Sequence, residues 1–337
     1  MQCNMRKKIL ACAVVFALMI ASFTNCKAND PKEDDESAPY FYRAKMIDFI
    51  SDLSSYARSK NSNFALITNN GLDLYQKDQV PDGYAQRLLD AVGGALIEGA
   101  QYNWDDNHDG GVATSKKTKK YIADDTAVLH ANNKPVFSAD YCGKDPQKAA
   151  TAVKENAKNN IATFPARYKE LTSLEYVNLE KFTKNRDINT LNDVQTFAFL
   201  LNPDKFANKA DYLNALKNSP TDLLIIDLYY DDKPLTPEDL SSLKIKADGH
   251  KRLVYSYMSI GEAENYRYYW QKSWSKKLPD WIIGKNDEWE GDYPVKYWAK
   301  EWQKIIYGTP DAYLDKILTA GFDGAFLDIV DGYENFE

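Results

Sequence analysis

The sequence predicts a (β/α)8 barrel, and three observations carry that prediction. Eight short apolar runs alternate with segments whose apolar residues recur at helical spacing. Such alternation builds a parallel sheet, because each strand must return over the sheet through a helix. Several of the runs end in a carboxylate, as barrel strands do where their C-terminal ends carry a site. About 300 residues remain once an N-terminal leader and the polar stretch behind it are set aside, enough for one such barrel. A doubly wound open sheet is the other arrangement these elements allow.

The leader is residues 1–26. Arg6, Lys7 and Lys8 form a basic start, and Ile9 to Phe23 is an apolar run of export-signal length, too short for a comfortable membrane span. It ends at Thr24-Asn25-Cys26, where a cysteine just behind the apolar run reads as a lipid acceptor. The expectation is an exported protein, anchored by lipid at Cys26 to the outer membrane or surface of a Gram-negative bacterium. Residues 27–39, rich in Asp and Glu, form an acidic tether with nothing to bury. Residues 40–337 are expected to be one barrel, and the protein a monomer that meets the membrane only through its anchor.

The 42 Lys and Arg against 49 Asp and Glu leave a net charge of −7. No basic stripe is present to neutralise phosphates, which excludes a nucleic-acid partner. Of the four cysteines, Cys3 and Cys12 leave with the leader and Cys26 takes lipid, so Cys142 stands alone and no disulfide framework is expected. His108, His130 and His250 lie in no metal-binding spacing, so no metal is expected. No phosphate-binding glycine loop and no Gly-x-Ser-x-Gly elbow occurs, and no cofactor is expected.

The elements follow in order. Residues 40–58 carry apolar positions at helical spacing. A strand at Phe64–Thr68 closes on Asn69-Asn70-Gly71, a helix covers 84–92, and Ala95–Glu98 is the next strand. Residues 103–120, rich in Asp, Asn, Gly and Lys, read as an exposed loop running into a helix at Thr118–His130. Strands at Pro135–Ala139 and Ile161–Phe164 flank a helix at 146–159. Residues 171–192 carry little pattern and serve as a connector. Alternation then resumes, with strands at Thr196–Leu201, Leu223–Asp227, Arg252–Met258 and Ala325–Asp328 and helices at 208–217, 236–244 and 310–319. A Trp-rich insert, 266–309, separates the last two strands and is expected to cover one side of a cleft, most of its indoles packing inside.

Carboxylates ringed by Tyr and Trp, without a metal cluster, point to carbohydrate chemistry. Aromatic faces stack on sugar rings, and glycosidic cleavage needs one carboxylic acid to protonate the leaving oxygen and one carboxylate as nucleophile or base. The acids at strand ends are Glu98, Asp140, Asp227, Glu262, Glu264, Asp328 and Asp331.

Three segments in order, Asp222-Leu-Leu-Ile-Ile-Asp227, Tyr257-Met-Ser-Ile-Gly-Glu-Ala-Glu264 with Tyr266, Arg267 and Trp270, and Gly321-Phe-Asp-Gly-Ala-Phe-Leu-Asp-Ile-Val-Asp331, resemble the endo-α-1,4-polygalactosaminidase family of glycoside hydrolases. The resemblance implies a barrel and hydrolysis of an amino-sugar-containing polysaccharide. In the family, the Leu-Asp-Ile-x-Asp motif lies mid-chain, on the fourth strand; here it lies at the C-terminus. The segments the family places after it are similar to Met46–Ile50, Asn69–Gly71, Ala95–Glu98 and Lys134–Tyr141. A circular permutation is therefore expected, with 171–192 as the new joint. The resemblance carries the catalytic pair onto Asp328, as nucleophile or base, and Glu98, as general acid/base, with the two roles exchangeable. Glu262, Asp227, Tyr257, Asn70, Tyr102, Asp140, Arg267 and Asp331 are the expected substrate contacts, with Trp270 beside them, and Glu264 is expected to pair with Arg267. A glycan-binding protein that keeps the barrel without catalysis is the alternative function.

Overall fold

The computed structural model describes residues 36–105, 107–175 and 185–337. The expected leader, its Cys26 and most of the acidic tether lie outside the described residues.

The sheet has eight strands: β1 (Ala65–Asn69), β2 (Gly94–Glu98), β3 (Val136–Tyr141), β4 (Ile161–Ala166), β5 (Phe197–Leu200), β6 (Leu223–Ile226), β7 (Leu253–Ser259) and β8 (Gly324–Asp328). Their spatial order is β4-β3-β2-β1-β8-β7-β6-β5, every neighbour parallel. The last strand thus pairs with the first, Leu327 opposite Thr68, which an open doubly wound sheet does not do. Chain order and spatial order agree around a cylinder, and the fold is a (β/α)8 barrel. Its seam lies between β4 and β5, where no ladder forms among the described residues and the rings of Phe164 and Phe197 meet at 5.9 Å instead.

These runs become central strands because both their faces are covered. β2, β3, β7 and β8 are buried at every position, so an unbroken apolar run, rather than alternation, is what the sequence shows. Rings from strands that are not neighbours meet inside the barrel: Phe137 with Phe197 at 5.6 Å and Phe199 with Phe326 at 4.9 Å. The barrel is therefore a packed core rather than a pore.

Helices α1 (Phe41–Lys60), α2 (Tyr84–Ala91), α3 (Lys116–Ala131), α4 (Pro146–Ala157), α5 (Lys209–Asn218), α6 (Pro237–Leu243), α7 (Lys300–Ile306) and α8 (Tyr313–Ala320) surround it. Local chemistry sets several starts. Asp145 accepts from the amides of Gln147 and Lys148 with Pro146 in the first turn, and Thr236 with Asp239 forms a reciprocal cap around Pro237. Among the described residues no α-helix stands between β4 and β5, only a 3-10 turn at Leu191–Asp193. α1 covers the gap between β8 and β1, and the chain's end returns to it: Arg43 Nη2 lies 2.9 Å from Glu337 Oε2, and Phe336 stacks on Tyr42 at 5.2 Å.

Two loops differ from expectation. Within 103–120, Tyr102–Asp105 and His108–Ala113 form an antiparallel ribbon. Its glycines and exposed polar residues show no alternation because the ribbon packs only along one side. The 266–309 insert contributes Asp292–Pro294, which pairs with Glu262–Glu264, and then α7. Its indoles pack in a chain, Trp270 on Trp274, Trp274 on Trp281 and Trp281 on Trp302, at 5.2 to 5.4 Å. Gly261 lets this insert sit on the end of β8, since a Cβ there would lie 2.3 Å from the carbonyl oxygen of Ile329.

Candidate active site

The C-terminal ends of β1, β2, β3, β7 and β8 converge on two carboxyl groups. Asn69, the last residue of β1, donates through one nitrogen to both: Nδ2 lies 2.9 Å from Glu98 Oε1 and 2.8 Å from Asp328 Oδ1. The second oxygen of each acid takes a phenol. Tyr141 on β3 donates to Glu98 Oε2 at 3.0 Å, and Tyr257 on β7 donates to Asp328 Oδ2 at 2.9 Å. The amide of Ile329 adds a third bond to Asp328 at 2.9 Å. Glu98 is 9% and Asp328 1% exposed, so both sit largely out of water and their charges act on each other with little screening.

Burial and neighbours split the pair. Burial pushes Asp328 up to about 6, against the bonds from Asn69, Tyr257 and Ile329 that favour its charged form. Burial pushes Glu98 well above the usual carboxylate range, and the Asp328 charge adds to the rise. The stronger upward push falls on Glu98, which makes it the better proton holder of the two and Asp328 the better carboxylate.

A cavity of about 340 Å³ opens beside Glu98. Asp73, Glu98, Asp331 and Glu334 bring carboxyl groups to its wall, with Trp104 and Tyr333 as aromatic faces. Glu98 lines this cavity; Asp328 lies behind it. Asp331 begins the closing 3-10 turn and is pushed well up by burial and by the Glu334 and Asp328 charges.

The other expected contacts divide by position. Asn70 stands on the cavity wall, and its side-chain oxygen takes the amide of Glu98 at 3.1 Å, fixing the end of β2. Glu262 faces the 286–292 loop, where Asn286 donates to it at 2.8 Å, and burial with the Asp328 and Glu264 charges raises it to about 7. Asp227 and Glu264 both bind Arg267, each at 2.7 Å, and all three are buried. Asp140 is wholly buried and saturated: it takes the amides of Gln101 and Tyr102, the hydroxyl of Ser138 and the amide group of Asn156. Tyr102 is half-buried on the ribbon, with Lys148 over its ring. Trp270 packs on Tyr293 at 4.6 Å.

Sequence reasoning passed over Asn69 and Tyr141. In Asn69-Asn70-Gly71 the turn takes the second Asn, which adopts the left-handed conformation (φ 55°). The first Asn is thus the strand's last residue, and the placement of the turn was the signal available. Asn69 positions both acids. We expect Asn69→Ala to move the acidic limb of the kcat/KM pH profile above about 6, because the lost bond is one that holds Asp328 down. A limb that stays in place while kcat falls assigns Asn69 a packing role instead.

The family model described as glycoside-hydrolase family GH114 matches residues 178–337. An uncharacterized protein of Methanocaldococcus jannaschii is 39% identical over 156 residues, 42% of this chain and 43% of the relative. An uncharacterized protein of Deinococcus radiodurans is 37% identical over 125 residues, 37% of this chain and 38% of the relative. One from Thermotoga maritima is 34% identical over 119 residues, 35% of each chain. The chain thus spans less than half the length of the curated relatives it matches. Asp328 lies inside the family match and Glu98 outside it. Residues 178–337, which include β5 to β8 and the aspartate that ends β8, are similar to glycoside-hydrolase family GH114.

Proposed function

We propose that the protein is a glycoside hydrolase in which Glu98 protonates the leaving oxygen and Asp328 acts as the carboxylate partner. The single observation that carries this reading is the shared Asn69 bridge. It joins an acid from the family-matched half to an acid that the match does not cover. The stronger upward push on Glu98 suits it to the acid role and leaves Asp328 the carboxylate role that glycosidic cleavage requires.

Asp328 is read as nucleophile rather than as base for water. The nearest oxygens of the two acids are bonded to one nitrogen and so lie within about 6 Å of each other, which favours the shorter of two spacings. Nucleophilic, retaining enzymes hold their carboxyl groups about 5–5.5 Å apart, whereas water-activating, inverting enzymes need about 6.5–9.5 Å. In the first step Asp328 attacks the anomeric carbon as the glycosidic bond breaks, and the Glu98 proton passes to the departing oxygen. In the second, Glu98 takes a proton from water as that water displaces Asp328.

The finer reading is an amino-sugar-containing polysaccharide as substrate, cut by an endo-α-1,4-polygalactosaminidase-like activity. The carboxyl-lined wall of the 340 Å³ cavity supports it, since Asp73 and Glu334, with Asp331 as a further oxygen partner, suit a substrate that carries ammonium groups. Glu262, Asn70, Tyr257 and Asp331 are proposed as substrate-side groups around the pair. Asp227 and Arg267 are proposed to shape the rim through their ion pair, and Tyr102 and Asp140 to hold the ribbon that bears Trp104.

The chain is further proposed to be a circular permutant. The meeting of Glu337 with Arg43 and the seam between β4 and β5, where no ladder forms among the described residues, support it. A cyclic barrel makes such a rearrangement cheap, because the termini can move without altering which strands touch. Export and lipid anchoring through Cys26 remain part of the proposal on the strength of the leader sequence alone.

The test is digestion of a polysaccharide panel that includes α-1,4-galactosaminan in acetylated and deacetylated forms, followed by NMR of the first product released. Expected is cleavage with retained anomeric configuration. Cleavage with inversion removes the nucleophile role of Asp328, and binding without cleavage favours the glycan-binding alternative.

A further inference from the structure

A second cavity, of about 850 Å³, lies at the opposite end of the barrel, where strands begin: Ala65 of β1, Gly93 ahead of β2 and Leu253 of β7 are on its wall. That end of a barrel ordinarily serves stability, so a large cavity there calls for an explanation. Its charged lining is Arg58, Lys134, Lys244, Lys251 and Arg252 against Asp323 alone. In a chain of net charge −7 this is concentrated positive charge in a concave place.

Acids lie around that charge but off the cavity wall: Asp90 acts on Lys134, Asp187 on Lys251, and Asp248 and Asp222 on Arg252. Lys244 is paired with Asp323 at 2.6 Å. Arg58 donates to the carbonyls of Asp90 and Ala91, and Lys134 to that of Val92 at 2.8 Å, so neither is bonded to a carboxylate. Arg252, 2% exposed, donates through Nη1 and Nη2 to the carbonyls of Leu216, Lys217 and Ser219 at the end of α5, while its Nε is buried without a hydrogen-bond partner. Buried donors of this kind are rare and invite an acceptor. The nearby buried acid Asp222 is already held between Arg186 and Lys246.

We infer that this cavity binds a phosphorylated or sulfated small molecule through Arg58, Lys134, Lys251 and Arg252. A tetrahedral oxyanion with two or more charges accepts from several directions at once, which suits cations arriving from three separate segments. The volume falls in the range of about 300–1,000 Å³ that organic ligands occupy and exceeds the need of a bare ion. A bound dianion also relieves a standing cost: burial, with Arg58 beside it, holds the Lys134 amine below its ordinary value. The inference does not rest on the carbohydrate reading of the other mouth.

The experiment is calorimetric titration of the protein with glucose 6-phosphate, inorganic phosphate and glucose, repeated with Lys134→Met and with Lys251→Met. Expected is binding of glucose 6-phosphate, weaker binding of inorganic phosphate, none of glucose, and a loss of about tenfold or more in each variant. Lys251 is exposed, so its variant reports even if Lys134→Met fails to fold. No binding of either anion at about 10 mM overturns the inference. So does unchanged affinity in Lys251→Met, or binding of inorganic phosphate without glucose 6-phosphate.

Discussion

Glu98→Gln is expected to lower kcat on a polysaccharide by about 10³-fold, and Asp328→Asn by at least as much. Gln keeps the bond from Asn69 but has no proton to give, and Asn keeps the bonds from Asn69 and Ile329 to one oxygen but loses the acceptor for Tyr257 and has no negative charge to offer. The two roles separate with an activated aryl glycoside. A good leaving group departs without a proton, so most of the Glu98→Gln deficit disappears with such a substrate, while the Asp328→Asn deficit stays. In the unaltered protein kcat/KM should rise with pH through about 6, as Asp328 ionises, and fall at higher pH as Glu98 loses its proton. Activity of either variant within tenfold of the unaltered protein on the polysaccharide is incompatible with the assigned pair.

Arg267→Met is expected to produce the largest loss of stability, about 3–5 kcal/mol, read by urea unfolding at neutral pH. Arg267 lies between Asp227 and Glu264 at 2.7 Å from each, and all three are buried. Removing the cation leaves two carboxylates facing each other out of water. Asp227 is raised by burial even with Arg267 present. Without the guanidinium its folded value rises further, so the deficit is fullest at high pH and shrinks as pH falls below that value and the acid takes a proton. Replacing all three residues by apolar ones of similar size should restore most of the loss, since a buried ion network often contributes little beyond an apolar equivalent. A variant as stable as the parent at neutral pH would show that solvent reaches the network.

The barrel was legible because its strands are covered on both faces. Leu223–Asp227, Ala95–Glu98 and Ala325–Asp328 read directly as apolar runs ending in acids, and the observed strands fall within two residues of those positions. The 102–113 ribbon and α7 were not legible. The first is a two-stranded arm with exposed glycines, and the second is a short helix inside an aromatic insert, so neither presents a repeating buried face. Glu98 and Asp328 could be picked from strand ends and resemblance, but their dependence on Asn69 could not. One residue in the phase of the Asn69-Asn70 turn decides which amide faces the barrel mouth, and the sequence offers both equally. Asp140 is the converse: a strand-end acid that looks available in sequence proves saturated by four donors from its own surroundings.

The most direct measurement is the release of reducing ends from α-1,4-linked galactosamine polymers and a wider polysaccharide panel by three proteins side by side: the unaltered chain, Glu98→Gln and Asp328→Asn. The two-carboxylate account predicts release by the unaltered chain on at least one polymer and almost none by either variant, with all three proteins still binding that polymer. Equal release by all three, or equal binding with release by none, would contradict it.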